Sequence, residues 1–200
     1  MADQDWVATF PQSDQIPFGG PGTALSTAAT ATISPRPTSE VTPDYNKSFA
    51  GADWRVGKLI EVTARGFITT TGTSTTATFF LATNLDNTGT TYVTLATTAG
   101  FATGTGALAG LQWEMWGTIR CTAIANSGNT LATQATMKIA TTLTPTMATA
   151  SGLVIGMPNA SGETAAAVNT LRTQGIALRA TLAGANATIQ CTQWILKTLN

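Results

Sequence analysis

The sequence feature that most constrains the fold is a strict alternation of apolar and polar residues over positions 111–123. In this stretch, LQWEMWGTIRCTA, the odd positions carry apolar or small side chains, and the even positions carry polar side chains and Trp116. A period of two is typical of a strand that buries one face, because successive side chains of a strand point to opposite sides. In a helix the same apolar residues would surround the axis and leave no single buried stripe. The stretch therefore predicts a half-buried strand with Glu114 and Arg120 on its outward face.

A second alternating run follows this strand after a short turn. Residues 126–129 read Asn-Ser-Gly-Asn, and both glycine and asparagine tolerate the positive φ angles of tight turns. Alternation then resumes from Leu131 to Ile139. Two alternating runs joined by such a turn predict a long antiparallel hairpin.

The remaining sequence predicts about eight strands in total and no substantial helix. Alternation and turn residues place the other six at 23–34, 58–71, 76–83, 91–96, 173–182 and 187–196. Residues 153–155 allow one more short strand, residues 100–110 indicate a glycine-rich loop, and residues 163–171 a single helical turn. In the last strand the apolar phase changes before Trp194, which predicts either a bulge near Thr192 and Gln193 or a strand buried on both faces.

These strands predict an all-β fold, namely a single jelly-roll-like antiparallel β-sandwich of about eight strands with an extended N-terminal arm. A chain of 200 residues with 43% hydrophobic residues is long enough for one packed core. Roughly one residue in five is threonine. Threonine is β-branched and favours strands, and its hydroxyl group keeps the outer face of a sheet solvated without charged side chains. All-β chains protect their edges by packing two sheets or closing a barrel, and the long connections here favour Greek-key crossings.

The first 53 residues differ in composition from the rest. Six of the eight prolines lie at or before position 43, so we expect a Pro-rich arm over 1–53, with the candidate first strand at 23–34, and a β-sandwich domain over 54–200. Large apolar side chains are unusual in a free linker, yet the arm contains several. The arm either packs on its own domain or docks on a neighbouring subunit or another protein. The candidate docking residues are Trp6, Phe10, Ile16 and Phe18.

The charge balance argues against nucleic acid and membranes as partners. Ten basic and ten acidic residues give a formal net charge of zero, so no long-range field attracts phosphates or anionic lipids. The first thirty residues have acidic residues and no basic n-region, and no run of eighteen apolar residues occurs, so neither a signal peptide nor a membrane span is expected.

The chain offers little catalytic chemistry. It contains no histidine, which excludes Ser-His-Asp and Cys-His catalysis and the common zinc sites. Glu61 and Glu114 would have to face each other to act as a glycosidase pair, but each has a basic neighbour in its own strand, Arg65 and Arg120 respectively. We therefore expect solvated or paired surface charges, no enzyme activity, and no metal or other cofactor.

Three further features have ordinary structural interpretations. Cys121 and Cys191 lie in predicted strands and are expected to be buried thiols. The alternative is a disulfide between them. Residues 84–89, NLDNTG, contain one carboxylate, too few for tight calcium binding. The glycines of residues 100–110 are followed by neither the lysine nor the helix of a phosphate-binding loop.

Three sequence blocks resemble a family of small jelly-roll virion proteins of tailed bacteriophages. The blocks are WRVGKLIEVTARGFITTTGTSTTATFFLATN, LQWEMWGTIRCTAIANSGNTLATQATMKI and NTLRTQGIALRATLAGANATIQCTQWIL, which lie within residues 54–197. The residues that carry the resemblance are Gly66, 70–73, Trp113, Arg120, Asn186, Ile189, Cys191 and Gln193. These motifs are structural rather than catalytic. The resemblance implies a non-enzymatic virion component of the head-decoration, capsid-fibre or minor-tail type, often trimeric.

Two hypotheses of function follow. In the first, the protein is a capsid decoration or cement protein that self-associates, as a trimer by the resemblance, and docks through its arm on the major capsid protein or another virion protein. It would be assembled in the bacterial cytoplasm and reside on the capsid surface. In the second, it is a carbohydrate-binding jelly-roll module of a phage tail fibre or a lectin. Trp116, a candidate outer-face contact beside Glu114 and Thr118, would then stack on a sugar ring.

Overall fold

In the computed structural model, twelve strands succeed one another along the part of the chain that the structure describes. That part comprises residues 22–34, 48–49, 54–85, 92–104, 106–140, 153–157, 164–172 and 174–199. The strands are β1 (Thr30–Thr32), β2 (Ser48–Phe49), β3 (Leu59–Thr71), β4 (Thr76–Leu85), β5 (Tyr92–Thr97), β6 (Phe101–Ala102), β7 (Ala107–Cys121), β8 (Asn129–Ile139), β9 (Leu153–Met157), β10 (Thr164–Ala167), β11 (Gln174–Leu182) and β12 (Ala187–Thr198). No described segment is a helix that could span a lipid bilayer.

The strands form two antiparallel sheets that pack as a jelly-roll-like sandwich. The first sheet has the order β1-β11-β4-β5, with β2 also paired to β11 and β6 to β4. The second has the order β10-β8-β7-β3-β12, with β9 also paired to β8. The pairing is nested: the early strand β3 pairs with the last strand β12, and β4 pairs with β11. Strand β5 lies close to β10 of the other sheet, and β7 and β8 form the innermost hairpin. The predicted all-β sandwich is confirmed.

The core lies between the sheets and is filled by the side chains that the alternation predicted to be buried. Trp113 and Met115 of β7 and Phe79 of β4 are each at most 2% exposed. The ring of Phe79 meets the Trp113 indole edge to face, with ring centroids 5.1 Å apart, and so connects the two sheets. Each such fully buried side chain stabilises the fold by about 1.5–3 kcal/mol relative to exposure.

The strands predicted from the sequence are present in the structure, and their ends differ slightly from the predicted ones. The hairpin is antiparallel over nine residue pairs, from Trp113 opposite Ile139 to Cys121 opposite Leu131, and Gly128 in its turn has a φ of 89°. Strand β12 has its register shift between Cys191 and Gln193, where the bulge was predicted. The bulge leaves two adjacent outward residues and returns the following side chain, Trp194, to the core.

Three assignments from the sequence were wrong in part. The predicted helical turn at 163–171 contains β10 instead, because alternation buries Ala166 and Val168 while the backbone pairs with β8. The predicted loop at 100–110 contains β6 and the start of β7. Within 23–34 only β1 is a strand. Leu25 pairs with Ile189 of the second sheet, whereas β1 pairs with β11 of the first sheet, so the chain crosses between the sheets in this segment.

Candidate functional site

A row of polar side chains crosses the outer face of the second sheet. Alternation along the strands turns these residues away from the core, and the register places Gln193 of β12 opposite Arg65 of β3. Arg65 is opposite Glu114 of β7, and Glu114 is opposite Lys138 of β8. We call these four residues, Gln193, Arg65, Glu114 and Lys138, the polar row. Neighbouring strands are about 4.8 Å apart, so the four side chains are adjacent.

The centre of the polar row is an ion pair between neighbouring strands. Arg65 donates from Nε at 2.9 Å and from Nη2 at 2.6 Å, both to Oε1 of Glu114. The side chains are 57% and 39% exposed, so the pair contributes at most about 1 kcal/mol to stability. Oε2 of Glu114 makes no hydrogen bond with any described residue. The pair therefore holds two charged groups in a fixed, accessible position and leaves a carboxylate oxygen to accept from a ligand.

The predicted charge partners within single strands were wrong for Glu114. Its partner is Arg65 of the neighbouring strand, not Arg120 of its own, because residues six apart in a strand are about 20 Å apart. Glu61 is opposite Thr118 of β7 and Lys197 of β12, four positions along β3 from Arg65. Glu61 and Glu114 are thus about 13 Å apart along the strands, beyond the carboxylate spacing of glycosidases.

A groove of about 540 Å³ opens along the polar row. The bulge in β12 turns both Thr192 and Gln193 outward, where they line the groove. Gly66, which has no side chain, and Trp113 behind it also line the groove. A Cβ at Gly66 would lie 2.6 Å from Cζ2 of Trp113 and would collide with the carbonyl oxygen of Gln190. The full lining is Arg65, Gly66, Phe67, Gln112, Trp113, Glu114, Lys138, Ala140, Thr192 and Gln193.

Two exposed aromatic side chains lie on either side of the polar row. Trp116 is 43% exposed and Phe67 is 38% exposed. Phe67 is opposite Gln112, and Trp116 is opposite Thr63 on one side and Thr136 on the other. The two aromatic residues are therefore four positions apart along the strands, about 13 Å, with the polar row midway between them. An elongated ligand on this face would meet an aromatic surface at each end and charged groups at its centre.

Only some of the residues predicted to form the site lie in the part of the chain that the structure describes. Trp116 lies on the outer face, as the alternation indicated, whereas Trp6, Phe10, Ile16 and Phe18 lie outside the described residues. The sequence pattern did not predict Phe67, Gln112, Lys138, Thr192 or Gln193 as site residues. Phe67 had the same signal as Trp116, an aromatic residue on the polar side of an alternating strand. The sequence predicted the pairing of β7 with β8, but it did not predict that β3 lies beside β7 or that β12 lies beside β3, and the polar row depends on both pairings.

The cysteines and acidic side chains of the described residues form no further reactive or metal-binding site. Cys121 and Cys191 are buried thiols with no disulfide between them. Burial raises the pKa of the Cys121 thiol, although its hydrogen bond to the Ala123 carbonyl oxygen and the charge of Lys58 act to lower it. Within the described ranges, no three His, Cys, Asp or Glu side chains cluster closely enough to hold a metal ion.

The fold and this face define an all-β sandwich with an accessible, mixed aromatic and polar groove on one sheet. No protein-family model and no curated protein matches the chain. Among solved structures, the chain is similar to the CBM2 module of the Lactobacillus casei BL23 phage J-1 evolved Dit, at 11% sequence identity. The alignment covers 88% of this chain and 74% of that chain, with a TM-score of 0.29. A similarity of this size carries no argument about function.

Proposed function

We propose that this protein is a non-enzymatic structural protein of a bacteriophage virion, and that it decorates or cements the capsid. One observation carries the proposal: the three blocks that resemble phage jelly-roll virion proteins are the strands that build the sandwich. The first block spans β3 and β4, the second β7 and β8, and the third β11 and β12. The resemblance thus concerns the framework that holds both sheets together, rather than scattered positions.

The surface chemistry of the sandwich suits large contacts with other subunits. The first sheet has outward hydroxyl pairs, such as Thr30 with Thr181 at 2.5 Å and Thr32 with Tyr92 at 3.0 Å. Burying a hydroxyl-rich surface of low charge requires less desolvation than burying ions. We propose self-association as a trimer, with docking on the major capsid protein or another virion protein. Light scattering tests the trimer, which would have three times the 20.6 kDa mass of the chain.

In this proposal the N-terminal arm provides the attachment to the capsid. The arm contains Trp6, Phe10, Ile16 and Phe18, large apolar residues that would anchor the protein on a partner. The test is deletion of residues 1–20, followed by co-sedimentation with capsids that lack the protein. We expect a folded sandwich, seen by circular dichroism, that no longer sediments with capsids. A folded truncation with undiminished capsid binding contradicts docking through the arm.

A second candidate function, carbohydrate binding by a tail-fibre or lectin module, is favoured by the groove on the second sheet. Aromatic faces stack on the C–H faces of sugar rings, and planar polar side chains such as those of Arg65, Glu114 and Gln193 bind hydroxyl groups. The 13 Å separation of Phe67 and Trp116 would place one sugar ring at each end of a short oligosaccharide, with its hydroxyl groups on the polar row.

A glycan array with matched variants decides between the two candidates. If this outer face binds carbohydrate, the protein gives a specific signal that two variants each reduce at least about tenfold: Phe67→Ala, in the groove lining, and Trp116→Ala, on the other side of the polar row. The control is Leu171→Ala, because Leu171 is 57% exposed and lies neither in the groove lining nor in β3 or β7, the strands that contain Phe67 and Trp116. Absence of any specific glycan signal, or equal loss in the control, removes this candidate and leaves the virion role without a glycan.

A further inference from the structure

The outer face of the second sheet carries positive and negative charges side by side. Across the polar row the strands present neutral Gln193, positive Arg65, negative Glu114 and positive Lys138, in that order. The side chains of Arg65 and Glu114 are 57% and 39% exposed, and Lys138 is exposed as well. The charge of this face therefore changes sign between adjacent strands, and such a pattern can be complementary to a second copy of itself.

The order of charges in the polar row selects one way of stacking two copies. Two identical faces pair about a two-fold axis, which lies in the plane between them. If that axis followed the polar row, Arg65, Glu114 and Lys138 would each meet its own counterpart, and like charges would repel. If the axis runs parallel to the strands, midway between β3 and β7, Arg65 of each copy lies opposite Glu114 of the other. Lys138 then lies opposite neutral Gln193, and the strands of the two sheets are nearly aligned, as in β-sandwiches.

The same axis opposes no like charges elsewhere on the described part of this face. In a second charged row, Glu61 of β3 is beside Lys197 of β12, and the row ends in neutral Gln134 of β8. Lys197 of one copy would meet Gln134 of the other, and Glu61 would meet a threonine. Arg120 would meet Leu59, because these two residues are neighbours across β7 and β3. Every charged residue on this part of the face thus meets an opposite charge or a neutral side chain.

The size of the face and its exposed aromatic side chains also suit a second copy. Trp116 would meet Thr63, and Phe67 would meet Gln112. Four strands and the length of β3 from Leu59 to Phe67 give a face of about 19 by 26 Å. Two copies would therefore bury about 1,000 Å² in total, the lower bound of a specific interface. The two grooves would meet and enclose water, as polar interfaces commonly do.

We propose that two copies of this chain pair through the outer faces of their second sheets, about a two-fold axis along the strands between β3 and β7. Arg65 and Glu114 of both copies then form one closed network, in which each guanidinium lies between two carboxylates. This inference does not depend on the capsid proposal, because a two-fold contact pairs two copies whether each is a single chain or part of a trimer. Pairing would cover the groove, so one copy cannot pair and bind carbohydrate there at the same time.

Charge reversal in two separate variants tests the proposed contact. Arg65→Glu leaves two negative charges at the centre of the polar row, and Glu114→Arg leaves two positive ones. Each variant should repel its own copy, with a dimer dissociation constant raised at least about a hundredfold, whereas the two variants complement each other. We expect light scattering to give the unmodified chain twice the mass of either variant. An equimolar mixture of the two variants, and the exchanged variant Arg65→Glu/Glu114→Arg, should regain the doubled mass.

A charge reversal off this face provides the control for that experiment. Arg172→Glu changes an exposed arginine in the loop between β10 and β11, so it should keep the doubled mass. Circular dichroism verifies that each variant is folded, which we expect because the Arg65–Glu114 pair is largely exposed. Equal masses for the unmodified chain and the single variants overturn the proposal. Halving of the mass in the control, or an equimolar mixture of folded variants without the doubled mass, also overturns it.

Gln134 tests the position of the axis without altering the ion pair. This exposed side chain of β8 would lie opposite Lys197 of the second copy only if the axis runs between β3 and β7. We expect Gln134→Glu to lower the dimer dissociation constant about fivefold and Gln134→Lys to raise it by a similar factor, measured by analytical ultracentrifugation. Equal effects of the two substitutions, or effects of the opposite sign, overturn the proposed axis.

Discussion

Gly66 shows how one residue without a side chain makes room for a large core side chain. The Trp113 indole occupies the space beside its Cα, so that β3 can lie directly over one of the largest core side chains. A methyl group there has no room, because backbone and indole atoms surround the position. We expect Gly66→Ala to lower the free energy of unfolding by about 3 kcal/mol or more, measured by urea denaturation.

Gly128 provides the control for this substitution. Its φ of 89° strains any other residue, but a Cβ would meet no heavy atom within 4 Å. Gly128→Ala should therefore cost only the conformational penalty of about 1–2 kcal/mol. A Gly66→Ala loss no larger than this would mean that Trp113 can move aside and that the close packing does not exclude a side chain at this position.

The buried thiol of Cys121 makes stability depend on pH in a stated direction. Burial raises its folded-state pKa above the ordinary value of 9.0. Below that value the thiol is protonated in both states, and the difference has no effect. Above it, the unfolded chain loses the proton while the folded chain keeps it, so the free energy of unfolding falls as pH rises. We expect this fall as the pH rises above about 9 in urea titrations.

The Cys121→Ala variant separates this contribution from other groups that titrate in the same range. Its absolute stability at pH 7 should be lower, because a buried side chain has been shortened. Its loss of stability on going to alkaline pH should nevertheless be smaller than that of the unmodified protein. Equal alkaline losses in the two proteins would show that the thiol does not contribute.

At the scale of the strand, β7 contains two tryptophans that test the assignment of its faces. Trp113 is 2% exposed and contacts Phe79 across the sandwich, whereas Trp116 is 43% exposed on the outer face. We expect Trp113→Ala to cost about 3–5 kcal/mol of unfolding free energy and Trp116→Ala no more than about 1 kcal/mol. Similar losses in the two variants would contradict the alternation from which the fold was predicted.

The bulge in β12 supports a second prediction at this scale. Deleting Thr192 makes the strand regular, so that either Trp194 leaves the core or the rest of the strand shifts against β3. We expect the deletion to cost about as much as Trp194→Ala, about 3–5 kcal/mol. Thr192→Ala, which keeps the extra residue, should change stability by about 0.5 kcal/mol or less, because the side chain is exposed.

Strands were predictable where one face is buried and the other is wet. The hairpin of β7 and β8 and the phase change in β12 were predictable because every second residue of these strands is apolar and buried. Strand β10 was missed because its run of alanines lacks that contrast, and its pairing with β8 depends on residues distant in sequence. The polar row was missed for a related reason: Arg65 and Glu114 become neighbours only through the register of β3 and β7.

At the scale of the whole molecule, the nested pairing makes the two ends of the sandwich sequence interdependent. β3, the first long strand, has β12, the last, as its neighbour on one side. Their contacts close a loop of more than one hundred residues, which is entropically costly until the sheets pack. The core between the sheets also depends on β12, which contributes the buried side chains of Ile189, Cys191 and Trp194.

Deletion of residues 187–200 should therefore abolish cooperative folding, although every other long strand is retained. The deletion removes four core residues, Ala187, Ile189, Cys191 and Trp194, and exposes the edge and inner face of β3. This loss of burial is comparable to the whole stability of an ordinary domain, about 5–15 kcal/mol. We expect no sigmoidal urea transition by tryptophan fluorescence. Deletion of residues 1–20 is the matched comparison, since the pairing of Leu25 with Ile189 is kept, and this variant should unfold cooperatively. A cooperative transition in the C-terminal deletion would mean that the sandwich does not require its closing strand.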